Sequence, residues 1–287
     1  MQTRTIGSVT VSAIGLGGMP MSVEGRPDEA RSVRTIHAAL DAGVTLIDTA
    51  DAYHINAAET GHNERLIAEA LASYPGDASG VLVATKGGHI RPGDGSWTLD
   101  GSPAHLFEAA EASLKTLGVD AIGLYQFHRP DPKVPYAESI GALKELLDAG
   151  KIRMAGISNA SIERIEEARS ILGEGNLASV QNEFSPAFRS SEAELRHCAE
   201  AGIAFLPWSP FGGIRRAGQL GTRHAAFGEV AAAHGVSPQQ VTLAWLLAKA
   251  PVVIPIPGAS RPESILDSAQ ATDLVLSPGE LTRLDAS

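Results

Sequence analysis

The chain has 287 residues, 44% of them hydrophobic and 20% charged, a balance that suits one large soluble globular domain with a substantial core. Its net charge is −10 with no clustered basic stretch, which argues against a nucleic-acid backbone or an anionic membrane surface as partner. A single cysteine, Cys198, excludes an internal disulfide framework. With no apolar leader after Met1 and no apolar run approaching ~18 residues, the expected setting is the cytoplasm.

In chain order, Val9 and Val11 alternate with polar residues after Gly7-Ser8 and read as the second arm of a small β-hairpin. Ala13 to Gly18 reads as a first buried strand ending in glycines. It contains no G-x-G-x-x-G leading into a helix, so a Rossmann fingerprint is not supported. Pro27 to Ala42 follows as an amphipathic helix, with Pro27 at its first position and Gly43 just beyond its end. The strand Val44 to Ile47 runs out into Asp48 and, five residues later, Tyr53. A helix covers Asn63 to Leu71, and the strand Val81 to Thr85 ends at Lys86.

The alternation continues through the helix Pro103–Leu117, the strand Ile122–Phe127 ending at His128, and the helix Ala137–Ala149. The strand Ile152–Ile157 ends at Ser158-Asn159, and the helix Ile162–Leu172 leads to the strand Ala178–Gln181. The helix Glu192–Ala201 and the strand Ile203–Pro207 lead to Trp208-Ser209 and an irregular stretch, Gly212 to Gly221. A helix around Ala225–His234, the helix Pro238–Ala250 and the strand Val252–Pro255 follow. Two short helical segments, Pro262–Ala269 and Pro278–Ala286, close the chain. Eight apolar strand-like runs separated by helices describe a single (β/α)₈ TIM barrel over residues 1–287, with an N-terminal hairpin and extra C-terminal helical segments. An open doubly wound sheet would need a phosphate loop after its first strand, which is absent.

Polar residues stand alone at the carboxyl ends of these strands: Asp48, Lys86, His128, Ser158, Asn159, Gln181, Trp208 and Ser209. In a barrel these ends converge on one face, so the set forms one expected pocket. Asp48 can pair with the Lys86 ammonium. That charge beside Tyr53 is expected to lower the phenol's pKa from about 10 towards neutrality. Such an acid can protonate a carbonyl oxygen as hydride reaches the carbon, with His128 orienting the oxygen. Two other chemistries stay open: a Schiff base on Lys86, and a metal held by Asp48, His54, His62 and His128. The metal reading is weak, because no His-x-His or His-x-x-x-His pair lies at a strand end.

Leu46-Ile47-Asp48-Thr49-Ala50-Asp51-Ala52-Tyr53, Asn63-Glu64, Ala84-Thr85-Lys86 and Leu124 to Pro132 resemble the aldo-keto reductase family. So do Gly150-Lys151-Ile152-Arg153, Gly156 to Asn159, Val180 to Phe184, Trp208 to Gly212 and Ile256 to Ser260. The resemblance implies a tetrad of Asp48, Tyr53, Lys86 and His128, with Tyr53 as general acid, and NADPH extended across the barrel mouth. By motif, Ser158, Asn159 and Gln181 would hold the carboxamide, and Trp208 takes the place of an aromatic that stacks on the nicotinamide. Ser209, Pro210, Phe211 and Gly212 would follow the pyrophosphate, and the segment from Gly258 to Ser268 the adenosine and its 2′-phosphate. Beyond Ser260, which still fits the motif, that segment departs from the family pattern: Ser264 falls where many members carry Arg or Gln, and Asp267 and Ser268 replace the usual Glu and Asn. Arg261 could supply the phosphate contact instead.

The expected activity is NADPH-dependent reduction of an aldehyde or ketone by a monomer, with a small-molecule carbonyl compound as partner and no metal. The alternatives are a cofactor-binding regulatory subunit on the same scaffold, or a Schiff-base lyase using Lys86. Trp97, His54, His89 and Phe211 are candidates for the substrate wall, and an ending at Ser287 without a longer tail suggests an open pocket.

Overall fold

A computed structural model describes all 287 residues. After the hairpin β1 (Thr3–Ile6) and β2 (Val9–Ser12) come β3 (Leu16–Gly17), α1 (Glu29–Asp41), β4 (Leu46–Asp48), α2 (His62–Ser73) and β5 (Leu82–Gly87). A second hairpin, β6 (His89–Ile90) and β7 (Thr98–Leu99), precedes α3 (Pro103–Leu117), β8 (Leu124–Phe127), α4 (Tyr136–Asp148), β9 (Ala155–Ser158) and α5 (Ile162–Leu172). The chain continues through β10 (Leu177–Gln181), α6 (Glu192–Ala201), β11 (Ala204–Phe205), α7 (Leu220–Arg223) and α8 (Ala225–His234). It ends with α9 (Pro238–Lys249), α10 (Pro262–Gln270) and α11 (Pro278–Asp285).

Seven parallel strands curl in the order β3-β4-β5-β8-β9-β10-β11. The expected strand at Val252–Pro255 is the eighth stave, although its ladder is incomplete. On one side the Phe205 amide donates to the Val252 carbonyl and the Ile254 amide to that of Phe205. On the other, the Gly15 and Gly17 amides donate to the carbonyls of Pro255 and Pro257. Proline has no N–H, so residues 255 and 257 can only accept on the β3 side. The ring therefore closes, but on the β3 side by one-way bonds that fall short of a regular ladder.

Closure also needs a small residue. A Cβ on Gly17 would lie 2.9 Å from the Ile256 carbonyl oxygen and 3.2 Å from the Gly258 Cα, both backbone atoms. Gly17→Ala must spread the seam, and we expect it to cost about 1–3 kcal/mol, read as a lower urea midpoint. An unchanged midpoint would show that the seam is looser than these contacts imply.

The barrel interior is one apolar cluster drawn from every stave except β3: Leu46, Leu82, Ala84, Leu124, Met154, Ala178, Ala204, Leu206, Ile254 and Ile256. Ile6 and Val11 of the hairpin belong to the same cluster and plug the end of the barrel opposite the strand carboxyl termini. A buried leucine or isoleucine here contributes about 1.5–3 kcal/mol. The outer strand faces pack against the helices in two further clusters.

Helix ends follow local capping. Asp28, with its side chain accepting from the Arg31 amide, caps α1, so Pro27 precedes the cap and is not its first helical residue. The expected helices at Glu192–Ala201 and Ala225–His234 match α6 and α8 residue for residue. Cys198 lies buried on α6, where burial pushes its thiol up to about 12. No helix is long and apolar enough to cross a membrane.

Candidate active site

Side chains alternate across a strand, so the residue two beyond an inward apolar side chain also points inward. Leu46 is followed in this way by Asp48, Ala84 by Lys86, Leu124 by Gln126 and then His128, and Leu206 by Trp208. The apolar layer thus passes directly into a polar layer at the strand carboxyl ends. Because the strands are parallel, all these ends meet at one mouth.

Lys86 stands at the centre of that layer with no exposed surface. Its ammonium has three protons and uses all of them: Nζ donates to Asp48 Oδ1 at 2.6 Å, to the Thr49 carbonyl at 2.8 Å and to the Tyr53 hydroxyl at 3.2 Å. Burial alone would disfavour the charged amine, but Asp48 and Tyr53 outweigh it and the Lys86 pKa is raised. The other carboxylate oxygen of Asp48 accepts from Gln181 Nε2 at 2.7 Å and Gln126 Nε2 at 3.3 Å. Ser179 in turn donates to Gln126 Oε1 at 3.2 Å. Every acceptor and donor of the ion pair is therefore satisfied, as a buried charge requires.

Gln126 was absent from the expected set. It sits two residues before His128, and the period-two rule alone could have placed it beside Asp48. The Asn63-Glu64 pair is a staple behind the same layer. Asn63 accepts from Thr49 Oγ1 and donates to the Gly18 carbonyl and Ser22 Oγ, while Glu64 accepts from Thr85.

The phenol departs from expectation. Burial pushes the Tyr53 pKa above its ordinary value. The Lys86 ammonium opposes that rise, and Asp48 and Asp51 add to it, so the net direction is upward. Desolvation beats the ammonium's field because the field is divided: the Asp48 carboxylate nearby cancels much of it. Tyr53 is thus a firmly protonated donor in the free protein. Its ring meets that of His128 edge to face at a centroid distance of 5.8 Å. Burial, with Lys86, His89 and Arg129 nearby, holds His128 well below the usual imidazole range, so it is neutral.

Tyr53, Asp48 and His128 open onto a cavity of about 530 Å³ also lined by Ser158, Asn159, Gln181, Trp208, Ser209, Pro210, Phe211 and Gly258. Gly212 lies between lining residues without reaching the cavity itself. Asn159 and Ser209 are the only non-glycine residues with positive φ, at 57° and 50°, and both line this mouth, just beyond the ends of β9 and β11. Such strain persists where the surrounding structure holds it for use. The Asn159 amide donates to the His128 carbonyl and to Ser158 Oγ, and Ser158 donates to the Gln181 backbone carbonyl, so the Asn159 and Ser158 side chains are linked into one edge that runs to β10.

Ser260, Arg261, Ser264, Asp267 and Ser268 lie outside the cavity, at and within α10. Arg261 donates to Ser264 Oγ through Nε at 2.9 Å, and its two terminal nitrogens bond no other protein group. Asp267 is differently engaged. Its two oxygens accept from Ser237 Oγ and Gln240 Nε2, both at 2.7 Å, and tie α10 to α9. With both oxygens engaged, Asp267 holds the helix in place. Ser268 is buried.

Of the wall candidates, His89, Trp97 and Phe211 face the cavity together with Met19, Pro20, Arg129 and Ile214. His54 does not. It is buried, and its carbonyl accepts from Arg91 at 2.7 Å. No three His, Cys, Asp or Glu side chains converge as a metal site.

Burial, with Arg129 and Lys86 nearby, pushes His89 down to about 4. A base whose folded pKa lies below its unfolded value near 6.5 costs nothing at higher pH. Once the pH falls below that value the unfolded chain takes the proton first. Thermal stability is therefore expected to fall from about pH 6.5 down to about pH 4, and less so in His89→Phe, as differential scanning calorimetry would read. Equal acid sensitivity of the two proteins would count against this burial cost.

The model of the family described as "Aldo/keto reductase family" matches residues 13–287. A 6-dehydroglucose reductase of Novosphingobium aromaticivorans is 35% identical over 92% of this chain and 87% of its own. Pyridoxine 4-dehydrogenase of Escherichia coli is 33% identical over 99% and 97%. A crystal structure of an aldo/keto reductase from Klebsiella pneumoniae in complex with NADP and acetate superposes with a TM-score of 0.80 at 28% identity, covering 99% of this chain and 94% of that one.

Proposed function

Because the chain belongs to the aldo/keto reductase family, we propose that it reduces an aldehyde or ketone to an alcohol with NADPH, using Tyr53 as the proton donor. The observation that carries this reading is the Lys86 ammonium with all three protons engaged, one of them on the Tyr53 hydroxyl at 3.2 Å.

The residues at the mouth suit a nicotinamide dinucleotide. Trp208 offers a half-buried ring to the cavity, and Ser158, Asn159 and Gln181 offer a row of amide and hydroxyl groups at the ends of the neighbouring strands β9 and β10. That row would hold a carboxamide, Trp208 the face of the nicotinamide, Ser209 to Gly212 the pyrophosphate, and Gly258 to Ser264 the adenosine side. Structures of Klebsiella pneumoniae relatives contain NADP or NADPH. When bound, the cofactor supplies the hydride.

The chain's own work is then proton transfer and positioning. The substrate oxygen lies between the Tyr53 hydroxyl and the neutral His128 ring. His128 donates one hydrogen bond that orients the oxygen, and Tyr53 gives up its proton as negative charge develops there. The fixed Lys86 charge stabilises the phenolate left behind, and Asp48, held by Gln126 and Gln181, keeps that charge in place. The same saturation speaks against the Schiff-base alternative. Lys86 has no exposed surface and no free lone pair, and its pKa is raised, so it is a poor nucleophile towards a carbonyl.

NADPH oxidation followed by absorbance, over small aldehydes, pyridoxal and keto-sugars, tests the reading. Tight NADPH binding with no turnover on any carbonyl would favour a regulatory subunit instead. Arg261→Ala is expected to weaken NADPH by about 10- to 100-fold, the loss of one charged hydrogen bond to phosphate, while leaving NADH unaffected. An unchanged NADPH preference in titration would remove Arg261 from the phosphate site.

A further inference from the structure

His89, on β6, takes no part in the proton transfer described above. Its ring centroid lies 4.4 Å from that of His128 and 5.3 Å from that of Trp97, and all three rings face the cavity. The Nδ1 atoms of His89 and His128 are both buried without a partner. Neither ring has a hydrogen bond to the protein through its other nitrogen. Nε2 of each ring is not enclosed in this way, so the cavity presents two neutral imidazoles side by side, each through one nitrogen, of which the carbonyl chemistry uses one.

The second imidazole is firmly held. His89 pairs with Leu99 across the β6–β7 hairpin. Two residues on, the buried Arg91 is ion-paired with Glu24, donates to the His54 carbonyl and stacks on Trp97 at 4.5 Å. One guanidinium therefore ties the hairpin to the loops after β3 and β4. A polar group on so fixed a support can read a ligand at little ordering cost.

Resting on the reductase reading, we propose that His89 is a substrate-binding residue that hydrogen-bonds a hydroxyl on the carbon next to the reacting carbonyl. The substrates are then α-hydroxy aldehydes and ketones, favoured over their unhydroxylated counterparts. With the carbonyl oxygen at Tyr53 and His128, the next carbon's oxygen falls towards the ring packed against His128. A hydrogen-bonding site discriminates strongly here, because an analogue without the hydroxyl leaves the imidazole unpaired.

A merely structural His89 would steady the His128 ring and affect every carbonyl alike, and the experiment separates the two. The kcat/KM of the full-length protein is measured with NADPH on glycolaldehyde against acetaldehyde and glyceraldehyde against propanal. His89→Phe keeps an aromatic ring against His128 and Trp97, and is expected to lower the hydroxylated-to-unhydroxylated ratio on the order of 10- to 100-fold. His89→Gln, which restores a donor and an acceptor, should recover part of that ratio. Equal falls for both members of each pair overturn the proposal. In parallel, the NADP⁺ complex is titrated with 1,2-propanediol and 1-propanol by tryptophan fluorescence. A diol preference lost in His89→Phe supports the assignment even if no carbonyl is turned over, in which case it is the reductase reading that fails. No diol preference in the unaltered protein overturns the assignment whatever the turnover.

Discussion

Tyr53→Phe is expected to lower kcat for carbonyl reduction by about 10²–10⁴-fold, the usual worth of a positioned general acid. NADPH affinity should hardly move, because the hydroxyl points at Lys86 and the substrate side of the cavity. The fold should survive as well. The ring stays, and Lys86 keeps its bonds to Asp48 and the Thr49 carbonyl. Burial also sets the pH dependence. The phenol is held above its ordinary pKa and the His128 imidazole well below its own. Donor and orienting group therefore both keep their working forms through the neutral range. The reductive rate should be flat across neutral pH and fall only on the alkaline side of about pH 10, where the phenol loses its proton. Stopped-flow measurement of the hydride step against pH tests this directly. A fall centred near pH 7 would mean that the ammonium's field, and not burial, governs the phenol.

Lys86→Met carries the larger structural consequence. The Asp48 carboxylate, 3% exposed, would keep only the Gln181 and Gln126 amides as donors. Removing one partner of a buried ion pair costs about 3–5 kcal/mol, and for a chain of this size that lowers Tm by roughly 5 to 20 °C. Activity should vanish together with stability. The double variant Asp48→Asn/Lys86→Met separates the two effects: with no uncompensated charge it should regain most of the lost Tm and none of the activity. If the single variant melts with the unaltered protein, the pair is solvated and the tight geometry around Nζ does not describe it in solution. A double variant that reduced carbonyls normally would remove Lys86 from the chemistry.

Most of the barrel was legible residue by residue, because buried parallel strands and amphipathic helices have opposite periodicities and glycines mark the joins. Gly202, for example, closes α6 at φ 69°, a conformation that side chains avoid. Short or proline-bearing elements were harder to read. The arms of β6–β7 are two residues each, too brief for any period, and the intervening loop is simply polar. The eighth stave carries prolines where a strand should donate, so its bonds to Phe205 on one side and to Gly15 and Gly17 on the other reveal its role.

At the mouth, the sequence by itself determined which chemical groups are present and that they stand at successive strand ends. That followed from the period-two alternation of Asp48, Lys86 and His128 with the apolar residues before them. Which forces win among those groups was decided only by the tertiary structure. Burial outweighs the ammonium at Tyr53, Gln126 joins the ion pair, α9 claims Asp267, and His89 comes to rest against His128. The physical reason is common to all four. Desolvation and hydrogen-bond partnership depend on which side chains from distant strands and loops share the same few ångströms, and no local stretch of sequence contains that information.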